Sequence, residues 1–180
     1  MPISVLGMGN VLMGDDAAGP YALAVLSALY RIPDDVAVLD IGTPGLDLVP
    51  YLAGVDTLLL VDTVRSDAPP GTIRCYDKAT LLRTKLQPRL SPHDPAVGQC
   101  LAMLEIADCG PRELLLIGVV PEKTAFGPGL SPAVQNAIPA VVSRIVSELQ
   151  ARGVVLEPRS PAASPDLWWE IPAEPVPALA

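Results

Sequence analysis

Residues 3–19 read ISVLGMGNVLMGDDAAG, and this stretch decides the fold. Ile3 to Leu6 form an apolar run too short for a helix and too uniformly hydrophobic for a half-exposed strand, so a buried parallel strand is predicted. The strand then enters a loop in which Gly7 and Gly9 permit a tight turn and close backbone approach. Working outward, runs of the same character recur at Val36 to Ile41, Thr57 to Val61 and Leu114 to Val120. A fifth run, Gly71 to Tyr76, alternates more and carries Arg74, which predicts a strand at or near a sheet edge and antiparallel to its neighbour.

Helical stripes fill the intervals. Ala22, Val25, Leu26 and Leu29 repeat at i, i+3, i+4, i+7, as do Val97, Cys100, Leu101 and Leu104. The last helix has the clearest signals: Ser131 as N-cap, Pro132 at the first helical position, a stripe through Val134, Ile138, Val141, Val142, Ile145 and Leu149, and Gly153 just past the end. Strands alternating with helices predict an α/β fold. Its form is a three-layer doubly wound domain, with a mainly parallel five-stranded sheet, one antiparallel strand and helices on both faces. Ligands bind such domains beyond the carboxyl ends of the strands.

The chain of 180 residues suits one domain, placed at residues 1–156. From 157 to 180 the texture turns to Pro, Ala, Ser and Glu, and a flexible or loosely docked tail is expected, with Trp168 and Trp169 as isolated apolar anchors. Half of the residues are hydrophobic and 18% are charged, which excludes a chain disordered by composition. The formal charge of -8 argues against nucleic acid as a partner, because phosphate binding needs clustered Lys and Arg. Three cysteines without a CxxC pair argue against a disulfide framework or a cysteine-based zinc site, so reduced thiols in a cytoplasmic protein are expected. No basic segment leading into an apolar one opens the chain, and no apolar run approaches the roughly 20 residues of a membrane span. With no surplus apolar helix in need of a partner, a monomer is expected.

The loop after the first strand resembles a dinucleotide fingerprint but departs from it twice. The third glycine position holds Leu12, and Asp15 and Asp16 would meet an anionic pyrophosphate at the helix N-terminus. A P-loop lacks its GK[ST] ending. A plainer reading has the glycines shape a turn and the aspartates cap the helix that starts near Gly19. Asp62 ends the third strand, TLLLVD, at the same edge, where it is either a functional carboxylate or a loop cap. One copy of Asp62-Thr63-Val64, lacking the glycine of DTG and a partner aspartate, does not make an aspartic-protease dyad. His93, in LSPHDP, is the only histidine, so any imidazole ligand is this residue or none. Two carboxylates and one neutral imidazole suit a borderline divalent metal such as nickel or zinc and leave coordination positions open.

The ordered series LGMGNVLMGDDAAG, LDIGTPGLDLVPYL, LLLVDTVRSDAPPGTI, SPHD and LIGVVPE followed by GLSPAV resembles the hydrogenase maturation proteases over roughly residues 3–150. The resemblance implies an endopeptidase that removes the C-terminal extension of a nickel-iron hydrogenase large-subunit precursor once nickel is installed. It implies that the metal is recognised in the substrate by Asp16, Asp62 and His93, which are also the catalytic candidates. Gly9 and Asn10 of the first loop, and Asp40, Gly42, Thr43 and Gly45 of the DxGTxG segment, are implied to line the neighbouring cleft. After His93 some members continue Gln-Leu-Gly-Leu, where this chain has Asp94-Pro95-Ala96-Val97. The competing readings are a noncatalytic nickel-delivery chaperone and a nucleotide-binding module.

Overall fold

The computed structural model describes residues 3–83 and 97–170. His93 and the SPHD segment therefore lie outside the described residues. In chain order the elements are β1 (Ile3–Gly7), α1 (Ala18–Leu29), β2 (Tyr30–Arg31), β3 (Val36–Asp40), α2 (Val49–Leu52), β4 (Thr57–Thr63), β5 (Ile73–Asp77), α3 (Lys78–Arg83), α4 (Val97–Ile106), β6 (Glu113–Val119), α5 (Pro132–Ala151) and β7 (Glu157–Pro158).

Five of the strands form one sheet in the order β3-β1-β4-β6-β5, parallel except for β5, which runs antiparallel to β6 at the edge. The α/β fold anticipated from the strand and helix patterns is thus present. After β1 the chain crosses to β3 on one side, and the next parallel strand, β4, lies on the other. The topological switch point therefore falls between the carboxyl ends of β1 and β4, where such sheets open a ligand crevice.

Strand residues alternate between two cores because successive side chains point to opposite faces. Val5, Leu59, Val61, Ile117 and Val119 pack under α1 and α5. Leu6, Leu58, Leu60, Leu114 and Leu116 pack against Leu48, Leu52, Leu81, Leu101 and Leu104 from the α2, α3 and α4 side. Each fully buried side chain of this size stabilises the fold by about 1.5–3 kcal/mol over leaving it in water. Among the described residues no helix is long and apolar enough to cross a membrane.

Two expectations need correction. The run at Val36 is not a strand buried on both faces: β3 forms a sheet edge, and Leu39 is 46% exposed. In α1, Leu29 is exposed and Val25 only partly covered, while Tyr21 and Leu23 are buried, because the helix is wedged between sheet and α5 and buries a broader face than one stripe.

Of the two alternatives for the tail, flexible or loosely docked, residues 157–170 follow the docked one. Glu157 and Pro158 pair with Tyr30 and Arg31, and the backbone N–H groups of Arg159 and Ala163 donate to the carbonyls of Leu29 and Ala28. The Arg159 Nε also donates to the carbonyls of Ser27 and Tyr30, at 3.0 and 3.1 Å. These groups satisfy carbonyls that the end of α1 leaves without helical partners. Trp169 is buried edge-to-face on Tyr21, with ring centroids 5.4 Å apart, whereas Trp168 stays exposed. Composition could not show this, since docking depends on what α1 offers.

Candidate active site at the ends of β1 and β4

The loop leaving β1 is stitched to both neighbouring strands. Met8 N–H donates to the Val61 carbonyl at 2.9 Å, Ile41 N–H to the Gly7 carbonyl at 3.0 Å, and Gly9 N–H to the Gly42 carbonyl at 2.9 Å. Gly9 adopts φ +138°, and a Cβ there would fall on the Asp16 carbonyl oxygen. Only glycine lets the chain fold back this closely on the turn that carries the two aspartates. Gly19 plays the matching part on α1, where a Cβ would stand 2.6 Å from the Val61 carbonyl oxygen.

Asp15 and Asp16 are sequence neighbours with different surroundings. Asp15 is completely buried, and its carboxylate accepts four hydrogen bonds: from the N–H groups of Glu122 (2.8 Å), Lys123 (3.1 Å) and Ser131 (2.6 Å), and from Ser131 Oγ (2.9 Å). It fastens the first loop to the loop after β6 and to the start of α5. Neither aspartate caps α1 with its side chain, as the plainer reading supposed.

Asp16 is only partly buried. Its Oδ2 accepts the Asn10 N–H at 2.8 Å and its Oδ1 the Thr63 hydroxyl at 3.1 Å. Asp62 is buried near the end of β4, one residue before the strand ends, and its Oδ1 accepts the Thr63 N–H at 2.8 Å. The two acidic candidates thus meet at one residue, Thr63, across the switch point. The ion pairs of Lys78 with Glu105 and Arg112 with Asp56 lie elsewhere, so the partners of Asp15 and Asp16 among the described residues are neutral donors.

The expected cleft residues divide. Asn10 holds its own turn, its Oδ1 accepting the Leu12 N–H, and Gly42 meets the first loop through Gly9. Asp40 accepts the Gly42 N–H at 2.9 Å but lines a different groove, with Pro20, Leu23, Arg159 and Trp168, between α1, β3 and the docked tail. Thr43 is exposed and Gly45 half-buried in the turn that follows. A groove of about 670 Å³ runs between the loops after β4 and β6, lined by Arg65, Ser66, Asp67, Glu122, Lys123 and Thr124 among others, two of which, Glu122 and Lys123, donate to Asp15. These residues were not singled out in the sequence reading because polar loop residues carry no periodic signal, and Thr63 entered it only beside Asp62 in the Asp62-Thr63-Val64 triplet.

Among the described residues no group of three His, Cys, Asp or Glu side chains could hold a metal ion. The third member expected, His93, lies outside them.

The model of the hydrogenase maturation protease family matches residues 20–148. The chain belongs to the hydrogenase maturation protease family. It is therefore a peptide-bond hydrolase of that family. Hydrogenase 2 maturation protease of Escherichia coli (strain K12) is 34% identical over 163 residues, covering 88% of this chain and 97% of that protein. Hydrogenase expression/formation protein HoxM of Azotobacter vinelandii is 34% identical over 158 residues, covering 87% and 76%. Among solved structures, the hydrogenase maturating endopeptidase HybD from E. coli superposes with a TM-score of 0.80 at 32% identity, covering 90% of this chain and all of that one. The match to the family model begins just past Asp16, so the first loop lies outside it.

Proposed function

We propose that this maturation protease removes the C-terminal extension of a nickel-iron hydrogenase large-subunit precursor after nickel insertion, with Asp16, Asp62 and His93 gripping the substrate-borne nickel. One observation supports the reading: two acidic side chains from separate elements converge on Thr63 at the switch point, and among the described residues the Asp16 carboxylate is held by neutral donors. A carboxylate so held keeps its full negative charge available to an incoming cation. Two carboxylates with an imidazole also suit nickel by ligand type.

Nickel is here part of the substrate, and the protein's contribution is placement. By completing the ligand shell around a metal that another chain presents, the site would convert metal occupancy into alignment of the scissile peptide, without close reading of peptide sequence. Water activation by the metal, acting as Lewis acid, is favoured over a carboxylate general base, because both acidic groups are then engaged as ligands. The three unpaired thiols suit a cytoplasmic, reducing setting.

The test is mass spectrometry of a cognate precursor incubated with the protein, in nickel-loaded and nickel-free forms. A defined C-terminal peptide released only from the loaded form is expected. Metal transfer without cleavage would replace the reading with the chaperone one.

A further inference from the structure

We infer that Thr63 is a positioning residue, whose hydroxyl and N–H together preset both acidic groups before the nickel-bearing substrate arrives. This rests on the functional reading above. Thr63 is the last residue of β4 and is buried. Its hydroxyl donates to Asp16 Oδ1 across 47 residues of sequence, while its own N–H donates to Asp62 Oδ1. One side chain therefore links the loop after β1 to the end of β4, the two banks of the crevice.

The physical need is specific. Asp16 sits on a single turn, between Met13 and Ala18, and is only partly buried, so packing alone does not hold its carboxylate. Its Oδ2 is held from within the same loop, by the Asn10 N–H; among the described residues the Thr63 hydroxyl is what ties it to the sheet. Partners of this kind orient metal ligands, and their loss costs about 10–100-fold in affinity or activity. Both Thr63 donors are uncharged, so orientation is gained without neutralising the site.

The experiment compares wild type with Thr63→Val, which keeps the shape and removes the hydroxyl, and Thr63→Ser, which keeps the hydroxyl. Two readouts are taken with full-length precursor: kcat/KM for cleavage of the nickel-loaded form, and the ratio of affinities for the nickel-loaded and nickel-free forms. Thr63→Val is expected to lose about 10–100-fold in kcat/KM and to shrink the affinity ratio, with its melting temperature close to wild type, while Thr63→Ser retains both within a few fold. A merely structural role would lower the melting temperature and leave the nickel-dependent ratio unchanged. Wild-type behaviour of Thr63→Val, or equal losses in both variants, would overturn the inference while leaving the protease reading intact. Failure of the wild-type protein to cleave loaded precursor would overturn the reading itself, and this inference with it.

Discussion

Carboxylates at the two ends of α5 are stabilised in opposite ways. At its far end, Glu148 is clasped by cations: Arg144 at 2.8 Å and Arg152 at 2.6 Å, with Arg152 reaching on to Glu113 at 3.1 Å. At its near end, beside the switch point, Asp15 and Asp16 are held by backbone N–H groups and hydroxyls. A carboxylate facing a guanidinium has its charge already neutralised, and a further cation gains little there. One held by dipoles keeps its charge, and the field that attracts a metal survives. The difference separates a surface brace from the proposed site, although both are acidic clusters by composition.

The comparison can be broken first at the site. Asp16→Ala and Asp62→Asn should each reduce processing of nickel-loaded precursor by more than about 100-fold, beyond the loss of an outer partner. Thermal unfolding of Asp16→Ala should stay near wild type, since that side chain is only partly buried. Near-normal cleavage by both variants would remove the distinction between the two ends.

Asp15→Ala should act on stability instead. It strands four donors in a water-free setting, and a loss of about 3 kcal/mol is expected, seen as a melting temperature lower by about 6–12 °C for a chain of this length. Ser131→Ala should cost about 1–2 kcal/mol, because it removes the N-cap of α5 and one of those four bonds. Since the two residues share a hydrogen bond, the double variant should lose less than the sum of the two single changes. Additive losses in denaturant titrations would mean that the loop is not fastened through this contact.

The smallest effect is expected at the far end. Glu148→Gln should cost about 0.5–1 kcal/mol at neutral pH, because the cluster is largely solvent-screened. Burial opposes ionisation of Glu148, but the hydrogen bond from Arg152 and the charges of Arg144 and Arg152 outweigh it, holding its carboxyl below the ordinary value of 4.5. A lowered folded-state value stabilises fully above that ordinary value and is lost as pH falls through the folded one. Denaturant midpoints of wild type and Glu148→Gln should therefore converge between about pH 6 and about pH 3. A gap that widens in acid would contradict the pairing.

Much of the architecture was legible because it is local. The four parallel strands, the antiparallel edge strand and the capped start of α5 follow from apolar run length, alternation and the Ser131-Pro132 pair, which any short window of sequence displays. The acidic site candidates were visible as charges at strand ends in an otherwise apolar context, and the family from the order of its motifs. Less could be read where contacts join distant segments. Asp15 and Asp16 are alike as neighbours, and only burial against Ser131, 116 residues away, makes one a fastening while the other stays open. Thr63 stood out only as the middle of an incomplete DTG-like triplet, with nothing to join it to Asp16.

By itself, then, the sequence determined the five strands of the main sheet, the longer helices and which few residues could carry chemistry, because hydrophobic period and residue type are properties of adjacent positions. The tertiary structure alone decided that Val36–Asp40 is an edge, that residues 157–170 close the end of α1, and that one threonine joins two acidic groups. Those outcomes depend on which surfaces meet after folding, and a pairing between chain segments dozens of residues apart leaves no periodic trace in either one.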